Sequence, residues 1–88
     1  MNACALVLAC VISHSPAIPE RYDHEPTKQY FVINVSENAR QLKDCGEGYT
    51  LGCTYFGLNV IYMNKDLPRD VYAYALRHEK AHINGWRH

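Results

Sequence analysis

The last eleven residues of the chain read His78-Glu79-Lys80-Ala81-His82-Ile83-Asn84-Gly85-Trp86-Arg87-His88 and hold three of its five histidines. The pattern is H-E-x-x-H-x-x-G-x-x-H, and each fixed position has a chemical reason. His78 and His82 stand one helical turn apart, so on a helix their imidazoles project from one face. Two neutral imidazoles at that spacing can hold one zinc ion. Glu79, next to the first ligand, can reach a water on the metal without being a ligand itself. Gly85 is expected to end the helix with positive φ and to let the chain double back. His88 then returns as a third nitrogen ligand. Three protein ligands leave a fourth position for water, which is the catalytic arrangement of zinc rather than the closed structural one. The contrary reading is a surface helix with solvated histidines. Against it, the apolar stripe of Val71 and Ala75 continues into His78 and His82. Both histidines therefore line up with the core face, where an imidazole needs a partner.

These residues need a helix to carry them and a sheet to pack it on. Pro68 suits the first helical position, and Asp70 in the first turn suits the helix dipole. The helix is expected from about Pro68 to Asn84, with Gly85 as its stop. Before it, Cys53 to Met63 reads as a long strand or a hairpin, with a bulge or bend at Gly57. Gln29 to Val35 is β-branched and aromatic and reads as a strand. Ser36 can cap a short helix running to about Lys43. Asp44 to Gly52, with three glycines, is a turn region. Pro16 to Pro26, rich in proline and charge, reads as a linker or extended arm. The expected fold class is α+β: a small antiparallel or mixed sheet packed on a C-terminal active-site helix.

The final eleven residues resemble the zinc-binding consensus of the metzincin metalloproteases. They are also similar to the H-x-x-x-H-x-x-G-x-x-H signature of the YbeY-type bacterial hydrolases, but Glu79 favours the protease side. The resemblance implies a zincin-like fold with one zinc ion held by His78, His82 and His88. It implies Glu79 as general base and hydrolysis of peptide bonds through a zinc-bound water. The strand before the helix occupies the place where zincins put a substrate-binding edge strand. A peptide or protein substrate would pair with it in extended form, along Thr54, Tyr55 and Phe56. Tyr49, Tyr55, Tyr62, Tyr72 and Tyr74 are candidates to support the oxyanion, though half-buried packing is the commoner role of tyrosine. Trp86 reads as a packing anchor for the final turn, and Arg77, Lys80 and Arg87 as a solvated helix face. Metzincins continue past the third histidine into a methionine turn beneath the metal. Met63 precedes the helix and cannot play that part, so the likeness is to a minimal or truncated zincin.

The N-terminal run Ala3–Ile12 fits the apolar core of a secretory signal, and Ser15-Pro16-Ala17 offers small residues at the positions a signal peptidase reads. Residues 1–17 are thus expected to be a signal peptide or lipoprotein leader, and 18–88 a single domain. Val7-Leu8-Ala9-Cys10 loosely resembles a lipobox, with Cys10 as a lipid anchor. The alternative for this run is an N-terminal strand. In an exported chain, Cys45 and Cys53 are expected to form a disulfide across the Gly-rich loop between them. A thiolate metal pair is the lesser reading, because zinc-ribbon cysteines stand closer together. His14 and His24 read as surface residues.

Eighty-eight residues allow one domain with a thin core, which a metal or disulfide would reinforce. Nine basic and nine acidic residues cancel, which argues against a nucleic-acid partner held by bulk electrostatics. A hydrophobic content of 48% with seven tyrosines argues against intrinsic disorder. No apolar run is long enough for a membrane span. Three rival readings stay open. They are a non-catalytic zinc- or disulfide-stabilised exported binding module, a YbeY-like metal-dependent ribonuclease, and a fragment of a longer enzyme.

Overall fold

The computed structural model describes residues 2–4, 17–46 and 49–87. Cys10, His14, most of the expected leader and His88 lie outside the described residues. In chain order the elements are β1 (Asn2–Cys4), β2 (Phe31–Val35), α1 (Arg40–Lys43), β3 (Gly52–Tyr55), β4 (Val60–Asn64) and α2 (Arg69–Ile83). Single 3-10 turns lie at Glu20–Tyr22 and Phe56–Leu58.

β2 and β4 read FVINV and VIYMN, the β-branched and aromatic composition that fits a pleated, half-buried surface. They pair in parallel, from Phe31 with Val60 to Val35 with Asn64. β3 pairs antiparallel with the other side of β4, from Gly52 with Met63 to Tyr55 with Val60. These three strands form a mixed sheet, and the short β1 adds to the outer edge of β3, giving the order β1-β3-β4-β2. The 53–63 segment is therefore a hairpin. Its turn contains Gly57 and ends at Asn59, whose φ of 51° is a left-handed conformation that asparagine tolerates.

α2 lies on one face of this sheet. Leu51, Ile61 and Met63 from the sheet side pack with Ala75 and Ile83 from the helix, and Val32, Val71 and Leu76 extend the cluster. Alternation along each strand sends the neighbouring residues to the opposite face. There α1 packs on β3 and β4 with Leu42 fully buried. Tyr55 points to that side, where its hydroxyl donates to Asp44 Oδ2 at 2.9 Å and its ring meets Tyr62 edge-on at 5.2 Å. The disulfide Cys45–Cys53 ties the end of α1 to β3, with Cα atoms 5.9 Å apart.

Two boundaries differ from the sequence expectation for local reasons. The first helix starts at Arg40 and not after Ser36, because residues 36–39 form a turn of their own. The Ala39 N–H donates to the Ser36 carbonyl at 2.9 Å, and the Asn38 N–H donates to Ser36 Oγ at 3.3 Å. Serine side chains offer the backbone this alternative to a helix. At α2, Pro68 sits just before the first helical residue, where its missing N–H costs nothing. The other end of α2 follows the expectation closely. Gly85 has φ of 111°, its N–H donates to the His82 carbonyl at 3.0 Å, and the Trp86 N–H donates to the Ala81 carbonyl at 3.1 Å. This pair of bonds is a Schellman motif, which satisfies the last carbonyls and reverses the chain.

The proline-rich arm is pinned to the outer side of α2. Asp23 accepts two hydrogen bonds from Arg77, one of them at 2.7 Å from Nε, and Glu25 pairs with Lys80 at 2.8 Å. Asn84 Nδ2 donates to the carbonyls of Tyr22 and His24, each at 2.8 Å. The carboxyl groups of Asp23 and Glu25 are both held below their usual values, chiefly by hydrogen bonds from Arg77 and Lys80 respectively. Among the described residues, no helix is long and apolar enough to cross a membrane.

Candidate metal centre

The inner face of α2 ends in three buried polar side chains, His78, Glu79 and His82. A buried histidine pair is costly unless its nitrogens are used. Here the two Nε2 atoms approach to 3.1 Å. Tetrahedral zinc with nitrogen ligands at 2.0–2.1 Å places those ligands about 3.3–3.4 Å apart, so the pair stands close to the spacing that one ion requires. His78, Glu79 and His82 each offer one ligand atom, and these atoms lie within 4.8 Å of one another.

The tautomer of His82 follows from its other nitrogen. His82 Nδ1 is 2.7 Å from the carbonyl oxygen of Trp86. A carbonyl only accepts, so Nδ1 carries the proton and Nε2 presents its lone pair to His78. Fixing the far nitrogen of a ligand histidine in this way orients the ring and raises its basicity. The Trp86 carbonyl reaches that position because Gly85 reverses the chain.

Aromatic groups close the same corner. The indole of Trp86 stacks on His82 at 5.2 Å with an interplanar angle of 14° and meets His78 edge-on at 5.0 Å. Phe56, from the hairpin turn, meets His82 edge-on at 5.9 Å. Arg87 lies beyond the helix, not on its solvated face. Its guanidinium sits 3.3 Å from the Phe56 ring centroid and donates to the carbonyls of His82 and Trp86 at 3.2 and 3.0 Å. A cation over the ring face adds an electrostatic attraction to those bonds.

Glu79 points from α2 towards β3. Its Oε1 accepts a hydrogen bond from the Thr54 hydroxyl. Its Oε2 is buried and has no hydrogen-bond partner. Burial pushes the carboxyl up to about 8, with the Thr54 hydrogen bond acting in the opposite direction. The close approach of this side chain to the sheet requires Gly52. A Cβ there would stand 2.8 Å from Met63 Sδ, 3.2 Å from Glu79 Cγ and 3.3 Å from the Tyr62 carbonyl oxygen.

Two desolvated imidazoles form a donor pair suited to a borderline divalent metal such as zinc, with one unsatisfied carboxyl oxygen of Glu79 beside them. The bare Oε2 is the kind of buried polar atom that calls for a water, an ion or a substrate group to complete it. His88, the third ligand expected from the sequence, lies outside the described residues.

The remaining sequence candidates fall in several places. Thr54 and Tyr55 are neighbours on β3 whose side chains take opposite faces, Thr54 to Glu79 and Tyr55 to Asp44. The Tyr55 hydroxyl is pushed up to about 12, mainly by burial and then by Asp44. Phe56 packs on His82. The Tyr72 hydroxyl donates to Asn34 on β2, and Tyr49 and Tyr74 are exposed. His24 sits in the exposed arm on the outer side of α2. Sequence reasoning missed the Thr54–Glu79 hydrogen bond, the space that Gly52 leaves for Glu79, and the Trp86 carbonyl as the partner of His82. The first two join residues far apart in the chain, so no local pattern signals them. The third follows from the glycine stop three residues after His82.

No family model matches this chain, no curated protein matches it, and no solved structure matches it.

Proposed function

We propose that the chain is a zinc-dependent, zincin-like hydrolase of peptide bonds that works in an oxidising compartment outside the cytosol. One observation carries the reading: a buried pair of imidazole nitrogens 3.1 Å apart stands beside a buried carboxylate oxygen with no partner. A structural zinc site needs no such oxygen, whereas a hydrolytic one needs a base.

His78 and His82 would hold the ion, with His88 as the third ligand. A bound zinc ion supplies a Lewis acid that brings the pKa of a water towards neutrality and polarises a carbonyl. Glu79 is the general base in its ionised form, which a cation bound beside it would favour against the effect of burial. Thr54 engages Oε1 and leaves Oε2 for proton transfer. Oε2 takes a proton from the attacking water as its oxygen bonds to the peptide carbon. It returns that proton to the amine nitrogen as the C–N bond breaks. Trp86 and Arg87 keep the final turn, and with it the His82 ring, in place. The substrate is a peptide or protein in extended form, for which the strand beside Glu79 is a natural dock. The Cys45–Cys53 disulfide favours an oxidising location. Residues 1–17 would supply the export signal, or a lipid anchor at Cys10, and either cleavage would also remove β1.

The zinc content of purified protein tests the ligands. One ion per chain is expected in the parent, with a marked loss in His78→Ala, His82→Ala and His88→Ala. Equal zinc in all four would sink the site. Glu79→Gln should retain the zinc and lose hydrolysis of a quenched-fluorescence peptide library by about 10²–10⁴-fold. Undiminished cleavage would remove Glu79 from its role. Full zinc with no cleavage by the parent would make the chain a zinc-stabilised binding module instead.

A further inference from the structure

β3 has β4 on one side and β1 on the other. The β1 pairing is antiparallel, with Asn2 opposite Tyr55, Ala3 opposite Thr54 and Cys4 opposite Cys53. The backbone of Ala3 thus runs beside the residue whose hydroxyl holds Glu79. β3 itself reads Gly52-Cys53-Thr54-Tyr55 and carries no charge and no proline. Those are the usual devices that protect a sheet edge from pairing with another chain. Without β1 this edge would present unpaired N–H and C=O groups one strand away from the candidate base. An edge of that composition is suited to being covered by an extended backbone.

We propose that Asn2–Cys4 is a built-in occupant of the peptide-docking edge of β3, and that it competes with an incoming extended peptide for the same backbone groups. Displacing or removing the N-terminal strand opens the site. This regulation rests on the hydrolase reading above, but the docking itself requires no turnover and is measured without it.

The full-length chain carrying Ala3→Pro and Cys4→Pro tests it, since proline cannot donate to the ladder. The Glu79→Gln background prevents cleavage of the probe. Amide exchange at Thr54, whose N–H faces β1, is expected to quicken by at least about tenfold in the proline variant, as for a locally opened edge. Unchanged exchange would overturn the proposal. The probe is a fluorescein-labelled peptide copying residues 1–6 with Cys4→Ser. It is expected to bind the proline variant at least about tenfold more tightly than the parent, because the tethered strand competes with it in the parent. Equal binding to both, or none to either, would overturn the proposal. Should the double variant not fold, Ala3→Pro and Cys4→Pro are read singly. In an antiparallel ladder adjacent residues alternate in bonding, so only one of the two should open the edge. Equal exchange in both single variants would count against the pairing. If the edge opens and the probe docks, while the proline variant with Glu79 intact cleaves nothing, the hydrolase reading fails and the docking edge stands.

Discussion

Thr54 precedes Glu79 by 25 residues, yet its hydroxyl is the donor that orients the carboxyl group. Both side chains are fully buried, so the bond forms where water cannot replace it. Thr54→Val keeps the shape and removes the donor. It should cost about 1–3 kcal/mol of stability, since Glu79 is then left buried with neither oxygen satisfied. Thr54→Ser should retain most of that stability. Urea unfolding of the three proteins measures the difference, and equal midpoints for parent and Thr54→Val would show that the bond contributes nothing. At this scale the clustering of His78, Glu79 and His82 was legible, because it depends on their closeness in the chain and on helical spacing. The role of Thr54 was not. Its sequence neighbours place it on a strand near a site, which suggested contact with substrate, and only the packing of α2 on β3 turns its hydroxyl towards Glu79.

Elements show the same division. The end of α2 was readable residue by residue, since Gly85 alone among its neighbours adopts positive φ without strain. The start of α1 was not, because Ser36 makes a turn with the local backbone that competes with the helix it was expected to cap. The hairpin of β3 and β4 was one of two readings of an apolar stretch. Its resolution lies in Asn59, which accepts the left-handed turn. The disulfide joins two of these elements and is the covalent link between α1 and the strand that carries Thr54. Closing a loop with a sequence separation of 8 residues should stabilise the fold by about 2–3 kcal/mol through the unfolded chain. Cys45→Ala with Cys53→Ala is expected to lower stability by that amount. Thermal melting of the parent and the double variant checks it, and an unchanged midpoint would deny the bridge a stabilising role.

On the scale of the whole molecule, a small α+β fold packs its candidate site against one face of its sheet. The apolar cluster of Leu51, Ile61, Met63, Ala75 and Ile83 is small, and the two histidines and Glu79 continue the same interface between helix and sheet. Metal bound there would therefore stabilise the fold as well as serve chemistry. Any ligand bound only by the folded state adds stability by mass action, about 4 kcal/mol at a thousandfold excess over its Kd. Loss of that amount in a domain of this size corresponds to a fall of more than about ten degrees in Tm. EDTA treatment followed by calorimetry should show such a fall, with recovery on adding zinc. A midpoint indifferent to both would contradict a buried ion at this position.

The sequence by itself determined the donor types, their helical spacing, the glycine that reverses the chain, the cysteine pair and the α+β class. Each of these depends on residue chemistry or on near neighbours. Only the tertiary structure decided that β2 and β4 run parallel with β3 outside them, that β1 covers the free edge of β3, and that Thr54 and Gly52 accommodate Glu79. Those are contacts between residues remote in the chain. No local pattern encodes which strands pair or which strand residue meets each side chain of α2.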